Sequence, residues 1–488
     1  MRARQILSLL LTVSCAQAFA QVSSTQYFMN SLPQYVGNNP AFFPRYKFAL
    51  GLPGSMIDVG YWNSGFNYND LTRVENGKRI ADLSRLAKAM PEKTYITTTA
   101  QVDLFRLGLR LGSSAYLSLN SSVRAYGRGM IPRDVISLIA DGNEAYVGKT
   151  ASLSPETEMT LFWENSAGLA ISPTEDLTVG GRVKLLRGFV NGNTATANVT
   201  MSVAENYSAT LAADMNFRTS GIKSFGDGDF KLSNYSGNTG VAVDLGATYR
   251  LFNKLTLAAS LVDVGAIKWK NDTYQYILDK NTATFTYSGA DIKRLIDGDS
   301  KYFESFADSL EANFDPEEKQ GAAYSTMLPA KMFASATFEV MKNFNVGTVV
   351  FAEQYMGRVS TGMALSANKH FGRVLSTSVS YSLSNRSFNN LGAGLSLNLA
   401  PIQIYVVGDN LLRLPFSAAA NKNLNEYINS SQVVNLRFGL NFVWGWMTDS
   451  GKKVEDKSFN SKKKGVKTSS DKSKHPTPGR VDVRKRKR

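Results

Sequence analysis

Val434–Trp446 reads VNLRFGLNFVWGW, and every second residue is apolar: Val434, Leu436, Phe438, Leu440, Phe442, Trp444 and Trp446. The residues between them, Asn435, Arg437, Gly439, Asn441, Val443 and Gly445, are mostly small or polar. A period of two marks a strand whose faces meet different solvents. At ~3.4 Å per residue and a tilt of ~45°, a stretch of this length crosses a hydrocarbon layer. The tryptophans gather at one end, where indoles favour a membrane–water interface. An arginine in mid-strand requires that its face be wet. Apolar outside and polar inside is the pattern of a transmembrane β-barrel strand.

Other segments repeat it. Phe105, Leu107, Leu109 and Leu111 alternate with Arg106, Gly108, Arg110 and Gly112. Val241, Val243, Leu245, Ala247, Tyr249 and Leu251 alternate with Ala242, Asp244, Gly246, Thr248 and Arg250. Leu375–Ser384 carries serine at 376, 378, 380, 382 and 384, and Leu391–Leu399 carries Gly392, Gly394, Ser396 and Asn398 on its inner face. A slip of one residue would put these polar groups into lipid, so the register is strongly set. Short connections fall at Gly112–Ser114, Thr174–Asp176, Phe252–Lys254, Lys342–Asn343, Phe371–Arg373 and Ala400–Pro401. Long ones alternate with them: Asn67–Lys93, Gly127–Glu156, Gly221–Gly237, Lys270–Pro329 and Asp409–Gln432. Outer-membrane barrels are arranged in this way, with the short turns periplasmic. The expectation is an all-β, antiparallel transmembrane barrel of about 14–16 strands. Asp134–Ala140 and Phe303–Phe314 have helical spacing and are expected to be loop helices.

Composition agrees. Hydrophobic residues make up 43% of 488, and no later run approaches the ~20 apolar residues of a helical span. Half of a barrel's strand residues face the lumen, so an ordinary average is no argument against membrane insertion. Residues 1–20 read as a signal peptide: Arg2 and Arg4, the apolar Ile6–Val13, then Ala18-Phe19-Ala20 before a cleavage at Gln21. Thr12-Val13-Ser14-Cys15 lacks the leucine expected of a lipoprotein site, and cleavage after Ala20 removes the single cysteine. Residues 21–46 hold prolines at 33, 40 and 44 and are expected to be an extended lead-in or plug. The barrel is expected over 47–447 and a disordered basic tail over 448–488.

The charge is uneven. Gly451–Arg488 holds 15 Lys/Arg and 4 Asp/Glu, so +11 of the chain's +15 lies in the tail. Such a run suggests nucleic acid in a cytosolic protein. Behind a signal peptide it suggests instead a periplasmic protein, anionic headgroups or peptidoglycan. Outer-membrane lipid and the barrel-assembly machinery are the other expected partners. The aromatic end of the last strand, Phe442, Trp444 and Trp446, is the candidate assembly signal, with simple interface anchoring as the alternative.

Catalytic chemistry is hard to place. His370 and His475 are the only histidines, and His370, beside a short turn, is expected at the surface. A hydrolase would need it close to a serine and a carboxylate or amide. No His/Cys cluster suits zinc, and Gly226-Asp227-Gly228-Asp229 lacks the spacing of a calcium loop. No cofactor is expected. The expected lumen face carries Arg106, Arg110, Arg182, Lys184, Arg250 and Arg437 with Asp214, Asp244 and Glu339. Mixed signs point to paired charges filling the interior, with a solute path as the alternative.

Tyr27-Phe28-Met29-Asn30 followed by Asn39, Pro40, Ala41 and Phe42 resembles the start of a family of uncharacterised Bacteroidetes outer-membrane barrels. Gly240–Leu251 and Leu255–Trp269 look like its central hairpin. The chain is more distantly similar to PorP/SprF-like proteins of type IX secretion and gliding, and to FadL-like channels for hydrophobic solutes. The resemblance spans Gln21–Met447 and implies no catalytic residues. It leaves a structural or accessory barrel as the first expectation for function, a solute channel as the second and a barrel-embedded hydrolase as the third.

Overall fold

The computed structural model describes residues 24–226, 228, 231–252, 254–287, 312–384, 387–409 and 433–447. The expected signal peptide, the basic tail and most of Phe303–Phe314 lie outside them.

Fourteen antiparallel strands close into a barrel. Strand β1 has two segments, Tyr46–Gly51 and Ile57–Asn63; β2 is Lys93–Leu111, β3 Ala115–Pro132, β4 Glu156–Ile171 and β5 Leu177–Val203. Next come β6 Thr239–Leu251, β7 Leu255–Trp269 and β8, made of Tyr324–Met327 and Ala330–Met341. The circuit finishes with β9 Phe344–Tyr355, β10 Arg358–Phe371, β11 Leu375–Ser384, β12 Ser387–Leu399, β13 Ile402–Asp409 and β14 Val433–Trp446. Each strand pairs with the next, and β14 returns to β1 through Phe48↔Trp444 and Ile57↔Phe438. The first strand therefore starts, and the last ends, at the barrel end that carries the short turns. That end is the turn end below, and the opposite one the loop end. All six expected short connections are present.

The alternation read from the sequence sets the wall. Leu395 is 46% exposed and its neighbour Ser396 2%. Val183, Leu365, Ile404, Phe438 and Leu440 share the outward belt, while Ser376, Ser378, Ser380, Gln403 and Asn441 are buried inward. An apolar outer surface this continuous is a lipid face. Of the register shifts in the wall, two turn carboxylates inward. Between Asp103 and Phe105 the β2–β3 register shifts, so Asp103 on its loop-end side and Arg106 on its turn-end side both face inward and bond at 2.7 Å. On β7, Asp263 has φ +62° at a shift in the β6–β7 register. Bulges re-aim side chains in this way, and here a carboxylate that strict alternation would put in lipid turns into the lumen.

Strand β5 runs for 27 residues and rises past the rim. There it pairs with Lys149–Ser152 and Ala209–Ser220. Ala209–Ser220 pairs in turn with Thr273–Leu278 and Thr284–Tyr287, forming a side sheet above the barrel. The expected helix over 134–140 is present as Arg133–Asp141, ended by Gly142 at φ +75°. It packs on a second helix, Leu83–Ala89, which is capped by Asp82 through Arg85 N at 2.8 Å. Among the described residues no helix is long and apolar enough to cross a membrane.

Candidate functional site in the filled lumen

Residues 24–45 lie inside the turn-end half of the barrel. They were expected to be extended; instead they fold into two 3₁₀ turns, Gln26–Phe28 and Pro33–Gly37. Pro33 starts the second turn, where its missing N–H costs nothing. The segment adds no strand to the sheet. Side-chain hydrogen bonds fasten it to much of the wall. Asp409 Oδ1 accepts from Ser24 Oγ at 3.2 Å, Thr25 N at 3.1 Å and Thr25 Oγ1 at 2.6 Å. Gln403 Nε2 donates to Ser31 O at 2.7 Å, Ser260 Oγ to Asn38 O at 2.8 Å, and Arg110 to Pro44 O at 3.0 Å. Gln34 and Asn441 exchange amide bonds of 2.9 and 3.2 Å.

Apolar packing completes the seat. Tyr27 stacks on Phe333 at 5.2 Å and meets Phe42 edge-on, while Tyr35 stacks on Phe42 at 4.1 Å. The Asn-Pro-Ala-Phe element has a local role: Asn39 Oδ1 accepts from Ala41 N at 2.8 Å, and Asn39 Nδ2 donates to Ala259 O at 3.1 Å. The wall makes room with missing side chains. A Cβ at Gly347 would strike Phe28, at Gly394 Met29, at Gly246 Asn39, and at Gly180 the Pro40 backbone. Close approach of backbone explains glycine at these lumen positions.

Above the plug lies a layer of paired charges. Arg124 bonds Glu164 at 2.6 Å and forks onto Asp263 with two bonds of 3.0 Å. Lys184 joins Asp263 to Asp244, the latter at 2.9 Å, and Arg182 reaches Asp244 at 2.9 Å and Val36 O of the plug. Arg437 bonds Asp58 at 2.8 Å and Gln26 of the plug. Most of these pairs join neighbouring strands, Arg182 with Asp244 and Arg437 with Asp58 being direct cross-strand partners, while the Arg124 fork onto Asp263 ties β3 to β7. Buried ion pairs of this kind fix an arrangement more surely than they add stability.

Toward the loop end an aromatic layer follows. Tyr126 of β3 meets Tyr355 of β9 edge-on at 5.4 Å, and Arg128 bonds Glu353 at 2.9 Å beneath it. Phe162, Trp269 and Tyr324 pack into the same cluster. Between plug and aromatic layer remain two polar cavities of about 110 and 90 Å³, with Gln101, Arg124, Lys331 and Arg437 common to both linings. Outside, a shallow apolar hollow of about 560 Å³ crosses β8–β12 on the lipid face, bordered by Phe338, Leu365, Val379 and Tyr381.

The lumen candidates thus divide. Arg106, Arg110, Arg182, Lys184, Asp244 and Arg437 face inward among the contacts just described. Arg250 and Glu339 are half-buried near the turn-end rim. Asp214 is not in the wall at all: Ala209–Ser220 belongs to the side sheet, because β5 outruns the barrel and needs a partner there. Sequence reading missed Asp263, the centre of the network, since alternation along β7 assigns it to lipid. The signal was present, because a carboxylate there is costly and implies a bulge.

His370 departs from expectation. It is 4% exposed and faces inward, Nδ1 lying 2.8 Å from Ser376 Oγ. Trp446 packs against its ring at 5.9 Å, and Arg45 lies over that indole at 5.4 Å. Among the described residues no carboxylate or amide completes this pair, and both members are buried. Phe442 and Trp444 follow the outward stripe, but Gly445 has φ +69° and Trp446 turns to pack on buried Tyr46 at 5.3 Å.

Together these features define a transmembrane β-barrel whose bore is filled by its own N-terminal segment, a charge layer and an aromatic layer. The chain belongs to a family of unknown function (DUF5723), which matches residues 40–409. No curated protein matches it. Similar solved structures include a FadL homologue from Pseudomonas aeruginosa, at 10% identity over 88% of this chain and 99% of that one, TM-score 0.40. The toluene transporter TbuX of Ralstonia pickettii is 8% identical over 88% and 97%, TM-score 0.40. The toluene transporter TodX of P. putida is 9% identical over 83% and 91%, TM-score 0.38.

Proposed function

We propose that the protein is an outer-membrane channel for small solutes, held shut by residues 24–45. The observation that carries this reading is how the plug is held. A barrel of this size leaves a bore wider than its wall side chains fill, and the filler is a segment without strand pairing. It is fastened by side-chain hydrogen bonds and ring packing, which can be exchanged for water without unzipping the wall. The polar lining above it suits hydrated solutes better than hydrophobic ones. Catalysis is no part of this reading. Both barrel termini lie at the turn end, which accords with a periplasmic plug and a periplasmic basic tail.

Removing residues 24–44 tests the gate. The folded deletion variant should give stable conductance in planar bilayers where the intact mature chain is mostly silent. A second variant guards against misfolding: Thr25→Cys with Ser380→Cys, whose hydroxyls lie 2.6 Å apart. Oxidation should abolish even the rare openings of the intact chain, and reduction should restore them. Silence of the folded deletion protein would end the channel reading.

The double occlusion of the bore, by plug and by aromatic cluster, favours one second reading. In it the barrel is a structural or accessory component of an envelope or secretion assembly, and the tail contacts peptidoglycan or a periplasmic protein.

A further inference from the structure

The two lumenal cavities have a lining whose charge is unequal. Seven basic side chains border them, against four acidic ones. The acids that balance Arg106 and Arg182, Asp103 and Asp244, are both fully buried behind the lining. Glu158 and Asp409 also lie outside it. Glu164, Asp263, Asp58 and Glu353 also face the space, but the lining as a whole is net positive.

Lys331 is the clearest case. Its side chain is a quarter exposed, and its ion-pair partner, Asp263, stands at 3.9 Å. Asp263 is already engaged by the Arg124 fork and by Lys184. One carboxylate thus serves three cations, and Lys331 is the most weakly compensated of them. It borders both cavities, together with Arg124 and Arg437. Several kT of local positive potential in a low-dielectric cleft attracts counter-ions.

We infer that this chamber binds a small oxyanion, a carboxylate or phosphate group, with Lys331 as its principal contact and the Arg124 and Arg437 guanidiniums beside it. The larger cavity, at about 110 Å³, exceeds the ~10–15 Å³ that one water requires. It has room for several waters or one such anion. The inference rests on the channel reading in naming the anion as cargo, but binding itself does not depend on opening.

The test is equilibrium dialysis of the full mature protein in detergent, with labelled inorganic phosphate and, in parallel, labelled acetate at constant ionic strength. Saturable binding of one anion per barrel is expected for at least one of them, and which one binds separates the two sources. Lys331→Gln should weaken it about tenfold or more, the scale of one charge-assisted hydrogen bond, and Lys331→Arg should retain it. A heat-modifiability check shows that each variant is folded. No saturable binding of either anion, or equal binding by folded Lys331→Gln, overturns the proposal. Neither result bears on plug-dependent conductance, so the two readings fail separately.

Discussion

Asp263 donates its backbone N–H to Asp244 Oδ1 at 2.8 Å, locking two lumenal carboxylates together across the β6–β7 bulge. Carboxylates so close repel unless cations neutralise both. Lys184 is the one side chain bonded to each of them, flanked by Arg182 and Arg124. Lys184→Met should therefore destabilise the barrel by about 3–5 kcal/mol, the cost of stripping one partner from a buried ion network. Guanidinium unfolding in lipid vesicles measures it. A midpoint unchanged from the parent would show that the network has slack enough to do without this lysine.

The plug's hold on the wall should be most sensitive where a single residue accepts several of the bonds. Asp409 Oδ1 accepts three from Ser24 and Thr25. Asp409→Asn keeps the acceptor but removes its charge, a loss of about 1–3 kcal/mol in a buried site. Limited proteolysis should then cut within residues 24–45 several-fold faster, with the barrel body intact. Unchanged protection of the segment would mean that ring packing around Tyr27 and Phe42 holds it alone.

The wall makes a one-residue prediction. Leu395 faces lipid and Ser396 the lumen. Leu395→Lys should cost about 2–4 kcal/mol, whereas Ser396→Ala should change stability by less than about 1 kcal/mol. Equal effects in a vesicle unfolding titration would contradict the assigned register.

The sequence made the wall legible because one physical demand, lipid on one side and water on the other, is written into every strand with the same period. That is why the serines at 376, 378, 380 and 382 and the residues from Leu391 to Leu399 read correctly. The demand fails at bulges: Asp103 and Asp263 face the lumen only because the backbone shifts register, and the one mark of that in the sequence is a carboxylate where alternation would place it in lipid. The plug was half legible. Its prolines ruled out a strand, but its seat depends on Gly180, Gly246, Gly347 and Gly394, glycines from four strands that meet only in the closed barrel. His370 was misplaced for a related reason. Its nearness to a turn suggested exposure, while its burial comes from Trp446, more than seventy positions further along the chain.

That same tryptophan marks where the aromatic end of the last strand passes from an outward to an inward setting. Phe442 and Trp444 stack at 6.4 Å on the outward face, and Trp444 rests on Phe48 of β1 at 5.2 Å. We propose this outward aromatic pair as the signal that assembly machinery reads. Trp446, past the left-handed Gly445, instead packs with Tyr46, Arg45 and His370 beneath the plug. Phe442→Ser with Trp444→Ser should leave the protein unassembled, protease-sensitive and without a heat-modifiable band in the membrane fraction. Trp446→Ser should assemble normally but loosen the base of the plug, visible as faster proteolysis near Pro44. The reverse pattern, normal assembly of the double variant and failure of Trp446→Ser, would move the assembly signal to the strand's final residue and remove the distinction drawn at Gly445.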